Sequence, residues 1–184
     1  MTTVFIGGSR TVSRLNPMIR AKLDDLVERH CTVFIGDANG ADKAVQQHLA
    51  AGGYRNVVVF CMDRCRNNLG GWAIRAIRTS AARKDFAYYA TKDLAMAEEA
   101  KCGLMLWDGR SRGTLDNIRN LISAGKKTLV YLAPRKEFHK LADEKDLRAL
   151  LVRCDQAAVE RAQRRLAAAV ELPAGQLPLR PAEE

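Results

Sequence analysis

Glycines recur in three short segments of this sequence, at residues 7–10, 36–42 and 108–114, and the first and third segments also contain hydroxyl side chains and arginines. Glycine lets backbone amides approach an anion closely, because it has no Cβ. Serine and threonine hydroxyls and arginine guanidinium groups add donors that suit phosphate oxygens. The three segments together predict a binding site for a phosphate-bearing ligand.

The candidate ligand contacts are the glycines, hydroxyls and charged groups of these segments. Gly40 and Gly113 each precede a pattern of helical period, so each stands where a helix N-terminus would present unpaired N–H groups. Tight turns between strands and helices also favour Gly, Asn and Asp, and the spacing of Asn39 and Asp42 equally fits a helix cap. The candidates are Gly7, Gly8, Ser9, Arg10, Gly36, Asp37, Gly40, Asp42, Gly109, Ser111, Arg112, Gly113 and Thr114.

The elements that must position these segments are five short runs rich in Val, Ile, Leu and Phe. Each run is nearly continuous rather than alternating, which is typical of parallel strands buried on both faces. Stretches of helical period fill the gaps between them, so the chain alternates strands and helices. The predicted strands are residues 3–6, 32–35, 56–60, 103–107 and 128–132.

This alternation predicts an α/β protein with a Rossmann-like, doubly wound parallel sheet of about five strands over residues 1–134. In the commonest strand order, 3-2-1-4-5, the ligand crevice opens between strands 1 and 4 at the carboxyl edge of the sheet. The segments at residues 7–10 and 108–114 follow those two strands directly. The fold and the glycine-rich segments therefore predict the same place for the ligand.

The sequence also allows predictions for three regions outside the glycine-rich segments. Residues 61–84 form a long basic insertion, and we expect either a ligand-binding lid with Trp72 stacking on a base or a solvated face with Trp72 held in the core. Residues 135–172 are predicted to form charged helices that pack on the domain or on a partner subunit. Residues 173–184 contain three prolines and are predicted to be disordered.

Composition narrows the classes of partner. The net charge is +9 with a pI near 9.6, which favours anionic ligands or nucleic acid. No apolar run approaches the ~20 residues that span a bilayer, and no basic region precedes the first apolar run, so we expect a cytoplasmic protein without membrane association. The five cysteines and three histidines show no zinc-site spacing, and no metal is predicted.

The order and spacing of the three segments resemble those of the SLOG superfamily, which groups the DprA (SMF) domain with the "lonely guy" (LOG-like) proteins. Within it, the chain is most similar to a small bacterial and phage branch. The hallmarks of that branch are Gly-Ser-Arg, Gly-x-x-x-Gly-Ala-Asp and Trp-Asp-Gly-x-Ser-x-Gly-Thr turns after strands 1, 2 and 4. They match residues 8–10, 36–42 and 107–114, and the resemblance covers about residues 3–134.

The resemblance implies a nucleotide ligand. Known members bind nucleotides or derivatives of NAD and ADP-ribose, and LOG-like enzymes hydrolyse the N-glycosidic bond of a nucleoside monophosphate. The chain is therefore expected to be a nucleotide sensor or an atypical phosphoribohydrolase, with no cofactor besides the bound nucleotide. LOG-like proteins are commonly dimers, so a homodimer or higher homo-oligomer is expected, and the alternative function is DprA-like binding of nucleic acid.

Two departures from the LOG-like pattern concern catalysis. Lys92 stands at the position of the enzyme's arginine, and Asn117 stands at that of its glutamate. An amide cannot activate water or stabilise an oxocarbenium-like centre as a carboxylate does. Asp116 is adjacent, but helix geometry predicts that it points about 100° away.

The remaining catalytic candidates follow predicted strands. Asp37 and Asp108 stand directly after strands, where a side chain can enter the crevice. Each could instead contact ribose hydroxyls or cap a turn. Together with Lys92 they complete the set of candidate catalytic residues.

Overall fold

The structure is a computed structural model that describes residues 1–78 and 86–170. These residues form thirteen elements, and strands and helices alternate along most of the chain. They are β1 (Thr3–Gly8), α1 (Pro17–Glu28), β2 (Thr32–Gly36), α2 (Ala41–Ala51), β3 (Val57–Met62), β4 (Ala73–Ile77), α3 (Phe86–Glu99), β5 (Cys102–Trp107), α4 (Arg112–Ser123), β6 (Thr128–Leu132), β7 (Glu137–Leu141), α5 (Glu144–Val152) and α6 (Gln156–Val170).

The strands form one sheet in the order β4-β3-β2-β1-β5-β6-β7. All neighbours are parallel except β6 and β7, which run antiparallel. The central strand β1 pairs with β2 on one side, where Val4 lies opposite Val33, and with β5 on the other, where Val4 lies opposite Cys102. The predicted Rossmann-like α/β class is confirmed, and the order of the five predicted strands within the sheet is β3-β2-β1-β5-β6.

Side-chain alternation along β1 divides the core between the two faces of the sheet. Val4 and Ile6 pack in a cluster with the apolar residues of α1 and α2. Phe5 points the other way and packs in a cluster with those of α3, α4, α5 and α6. Successive side chains of a strand point to opposite faces, so a nearly continuous apolar strand serves both halves of the core.

The sheet has seven strands rather than about five, because an extra strand lies at each edge. Strand β4 falls inside the predicted insertion and pairs only with β3, so most of its side chains are exposed and carry no buried-strand pattern. Strand β7 falls in the region predicted to be helical. Its five residues, Glu137–Leu141, pair along the whole of β6, and this hairpin pairing overrides a charged local sequence.

The C-terminal helices complete the core on one face. Leu147 and Leu150 of α5 and Val159 of α6 are buried in the same cluster as Ile118 of α4. Residues 79–84 of the predicted insertion and the predicted disordered tail, residues 173–184, lie outside the described residues. None of the described helices is long and apolar enough to span a membrane.

Candidate functional site

A cavity of about 590 Å³ lies at the carboxyl edge of the sheet, at the ends of β1, β2 and β5. From β1 the chain continues to β2 and β3 on one side of the sheet, and from β5 it continues to β6 and β7 on the other side. This is the topological switch point, where open α/β sheets bind their ligands. The predicted residues that line it are Gly7, Gly8, Arg10, Gly36, Asp42, Lys92, Asp108, Ser111, Gly113 and Thr114. We call it the main cavity.

One end of the main cavity carries groups suited to phosphate. Ser111 is the N-cap of α4 and accepts a hydrogen bond from the Thr114 N–H at 3.5 Å. Gly113, the second residue of α4, has an N–H without an acceptor inside the helix. Arg10 extends from the turn after β1, is exposed and has no ion pair within the part of the chain that the structure describes. A helix N-terminus beside an arginine is an anion site by charge and by geometry.

Five predicted residues do not line the main cavity: Ser9, Asp37, Gly40, Gly109 and Arg112. The Ser9 hydroxyl is buried, lies 3.2 Å from the Thr114 hydroxyl and accepts from the Asp108 N–H at 3.1 Å. The Ser9 hydroxyl therefore links the end of β1 to the turn after β5, behind the residues that line the main cavity. The Arg112 guanidinium stacks on the Phe86 ring, 3.3 Å from its centre.

Gly40 shapes the site through the backbone. It is the N-cap of α2 with φ at +87°, and a Cβ there would lie 2.3 Å from the Arg10 carbonyl oxygen. The Ala41 N–H donates to the Ser9 carbonyl at 3.2 Å. The prediction that Gly40 presents a free helix N-terminus to the ligand is therefore wrong, because the turn after β1 occupies that position. The alternative that Asn39 caps the helix is also wrong, since Gly40 is the cap.

Asp37 is engaged by the chain itself. Arg66 donates to it three times, from Nη2 at 2.7 Å, from Nε at 3.0 Å and from its backbone N–H at 3.0 Å. Burial would raise the pKa of Asp37, but the hydrogen bonds and charge of Arg66 outweigh it and lower that pKa. The carboxylate is thus the attachment point of the loop after β3.

Asp108 lines the main cavity but has its oxygens occupied. Oδ1 accepts from the N–H groups of Arg110 at 2.9 Å and Ser111 at 2.7 Å, and Oδ2 accepts from the Thr11 hydroxyl at 2.7 Å. Burial alone would raise the pKa of Asp108, and these hydrogen bonds lower it instead. The arrangement makes Asp108 the residue that shapes the turn after β5.

A buried lysine lies among carboxylates at the other end of the main cavity. Lys92 of α3 is 4% exposed, and its Nζ donates to Asp93. Burial would lower the pKa of Lys92, but Asp93 and Asp42 outweigh it and raise that pKa. The opposite balance holds at Asp42, where burial raises the pKa to about 7 and the charge of Lys92 only partly offsets it. A Cβ at Gly36 would lie 2.4 Å from Asp42 Oδ2, so the glycine leaves room for this carboxylate.

Helix α4 contributes two adjacent residues to the same end. Asn117 is buried and its Nδ2 donates to Asp93 Oδ2 at 3.3 Å. Asp116 lines the main cavity too, so a side chain about 100° from Asn117 around the helix still borders it. Burial raises the pKa of Asp116, and the nearby charge of Arg112 opposes that rise.

Sequence reasoning missed some lining residues, among them Thr11 and Asp93. Asp93 stands inside the helical stretch that carries Lys92, and only the packing of α3 against α4 shows that both face the cavity. Trp72 lies elsewhere: it is 7% exposed, and its Nε1 donates to the Tyr54 carbonyl at 2.7 Å. Of the two alternatives, the structure shows Trp72 held in the core.

Neither a metal-binding group of the described residues nor a matching protein family assigns a role to this site. Within residues 1–78 and 86–170, no group of three His, Cys, Asp or Glu side chains could hold a metal ion. No protein-family model matches the chain, and no curated protein matches it significantly. The resemblance to the SLOG superfamily therefore remains a prediction that rests on the three glycine-rich segments.

Proposed function

We propose that this protein binds a phosphate-bearing nucleotide or nucleotide derivative in the main cavity. The observation that carries the proposal is the convergence of Arg10, the Gly7-Gly8 end of β1 and the N-terminus of α4 on one cavity at the switch point. A volume of about 590 Å³ falls in the range of small-molecule sites. Backbone amides and a guanidinium group together suit a phosphate, which accepts several charge-assisted hydrogen bonds.

The opposite end of the main cavity suits a sugar and a base. The Asp116 and Asp93 carboxylates can accept hydrogen bonds from ribose hydroxyls, and the Asn117 amide can serve as donor or acceptor. Tyr89 of α3 supplies aromatic surface within the same cavity, whereas the Phe86 ring lies under the Arg112 guanidinium at the N-terminus of α4. A ligand with a phosphate at one end and hydroxyls and an aromatic base at the other matches this distribution of groups.

The proposal is tested by titrating the protein with AMP, GMP, CMP and UMP and measuring affinity calorimetrically. Replacing Arg10 with Ala should weaken binding about tenfold or more, since it removes a charged phosphate contact. Arg20→Ala is the matched control, because Arg20 is exposed on α1 and lines no part of the main cavity. Absence of binding by all four nucleotides and by the corresponding diphosphates, or equal effects of the two variants, would refute the proposal.

Hydrolysis of the N-glycosidic bond is the second candidate, and Asp116 favours it. Asp37 and Asp108 are engaged by Arg66 and Thr11, whereas Asp116 lines the cavity and has a raised pKa. A carboxyl group can serve as a general acid or base in such hydrolysis, and burial moves the pKa of Asp116 towards neutral pH. Base release from the bound nucleotide would be followed by chromatography, and Asp116→Asn should abolish release while retaining binding. If the unmodified protein binds the nucleotide but releases no base, hydrolysis is refuted and a role as a nucleotide sensor is left.

A further inference from the structure

A second cavity adjoins the main cavity at the carboxyl edge. Its volume is about 380 Å³, and we call it the side cavity. Thr11 and Asp108 line both cavities, and the hydrogen bond from the Thr11 hydroxyl to Asp108 Oδ2 marks the boundary between them. The side cavity lies towards α1 and the end of β6, whereas the main cavity lies towards α3 and α4. A ligand that passes over this hydrogen bond would occupy both.

Two cations line the side cavity. Arg14 comes from the connection between β1 and α1, and Lys136 comes from the turn between β6 and β7. Both residues are exposed, and neither side chain has an ion pair or hydrogen bond to residues 1–78 or 86–170. Two cations without protein partners at the rim of a concave surface favour an anionic ligand group.

Lys136 occupies a position where its backbone is strained. Its φ is +55°, in the left-handed region that favours glycine or asparagine, and its N–H donates to the Ala133 carbonyl at 3.3 Å to close the turn. A lysine there costs conformational energy that glycine would avoid. The turn is therefore less stable with Lys136 than with glycine, and the lysine contributes a charge to the rim of the side cavity.

The floor of the side cavity is already organised. The Asn16 Oδ1 accepts from the Ile19 N–H at 3.0 Å and caps α1, and its Nδ2 donates to the Tyr131 hydroxyl. Tyr131 also packs edge-on against Phe138, which holds its ring in place. A few fixed polar groups among apolar residues such as Val12 and Pro134 are typical of a ligand pocket.

We propose that the side cavity is a second phosphate subsite for the ligand of the main cavity, so that the ligand class is a nucleoside diphosphate or its derivative. This inference rests on the proposed nucleotide binding. The first phosphate would meet Arg10 and the N-terminus of α4, and the second would cross the Thr11–Asp108 hydrogen bond towards Arg14 and Lys136. The shared lining residues are the reason for assigning both cavities to one ligand.

The test compares AMP, GMP, CMP and UMP with the corresponding diphosphates, by calorimetry at constant ionic strength. The best-bound diphosphate should exceed its monophosphate about tenfold in affinity, since it adds charge-assisted contacts. Lys136→Gly and Arg14→Ala should each reduce the affinity for the diphosphate several-fold and leave that for the monophosphate unchanged. Lys136→Gly is suited to this because glycine is the residue that the turn favours, and thermal unfolding would verify the fold.

The outcomes separate the two proposals. If none of the eight nucleotides binds, the proposed function fails and the second subsite fails with it. If a monophosphate binds but the diphosphate has no advantage, or if both variants behave like Arg20→Ala, only the second subsite is refuted. The same variants are also titrated with a ten-nucleotide single strand. If they lose more affinity for this strand than for the diphosphate, the two cations bind nucleic acid, and the second subsite is likewise refuted.

Discussion

Arg66 encloses the Asp37 carboxylate with a two-pronged contact, Nη2 to Oδ1 at 2.7 Å and Nε to Oδ2 at 3.0 Å. The carboxylate is almost fully buried, while the guanidinium is 41% exposed. The pair joins the end of β2 to the loop after β3, and Arg66 then lines the main cavity beside Tyr89. A residue predicted to do chemistry thus serves to position a cavity wall.

Removing Arg66 should destabilise the protein. Arg66→Ala leaves the buried Asp37 carboxylate without its charged donor, and we expect a loss of about 2 kcal/mol in the free energy of unfolding. We expect no larger loss in the free energy of unfolding, because the Arg66 side chain is partly exposed to solvent. Urea denaturation measures it, and the adjacent exposed Arg64→Ala serves as the control. Equal stability of the two variants would show that the pair contributes little.

Gly40 and Gly53 offer a matched comparison of backbone strain with and without a steric clash. Both have positive φ, +87° and +66°, but a Cβ meets the Arg10 backbone at Gly40 and nothing within 4 Å at Gly53. We expect Gly53→Ala to cost about 1 kcal/mol and Gly40→Ala about 3 kcal/mol or more. Chemical denaturation of both variants tests this, and similar costs would contradict the close approach at Gly40.

Asp42 should make folding depend on pH between about 4 and 7. Its pKa rises from an ordinary 3.8 to about 7 on folding, so in this window the folded state keeps a proton that the unfolded state has lost. Stability contributed by this group is therefore greatest below pH 4 and declines as pH rises towards 7, by at most about 1.4 kcal/mol per pH unit.

The Asp42→Asn variant isolates that effect. Asparagine does not titrate, so the difference in unfolding free energy between variant and unmodified protein should change steadily from pH 4 to pH 7. The lowered pKa values of Asp37 and Asp108 affect stability only as pH falls below their ordinary 3.8, which lies outside this window. A constant difference across the window would mean that Asp42 is ionised in the folded protein.

Substitution of Trp72 should change stability, whereas substitution of Tyr89 should change nucleotide affinity. Trp72→Phe removes the hydrogen bond from Nε1 to the Tyr54 carbonyl and should cost about 1 kcal/mol of stability without changing nucleotide affinity. Tyr89→Leu removes aromatic surface from the main cavity and should weaken nucleotide binding. Calorimetric titration and thermal unfolding of both variants measure the two quantities. A loss of nucleotide affinity in Trp72→Phe would contradict this prediction and show that Trp72 contributes to nucleotide binding.

The alternation of elements and the edge at which the glycine-rich segments gather could be predicted from the sequence, because both depend on local properties. Apolar runs such as residues 32–35 and 128–132 specify strands by their own composition, and parallel strands bring their carboxyl ends to one edge. The two edge strands could not be predicted in this way. Strand β7 exists because β6 offers it a partner, and β4 exists because β3 does.

The division of the carboxylates between structural and ligand-facing roles was decided by the tertiary structure alone. Asp37 meets Arg66 across 29 positions of the chain, and Asp108 meets Thr11 across 97. Asp116, which helix geometry directs about 100° away from Asn117, also lines the main cavity. The sequence determined which residues gather at the edge of the sheet. Only the packing of distant segments determined which carboxylates found partners in the chain and which still face the cavity, since a hydrogen bond depends on positions in space.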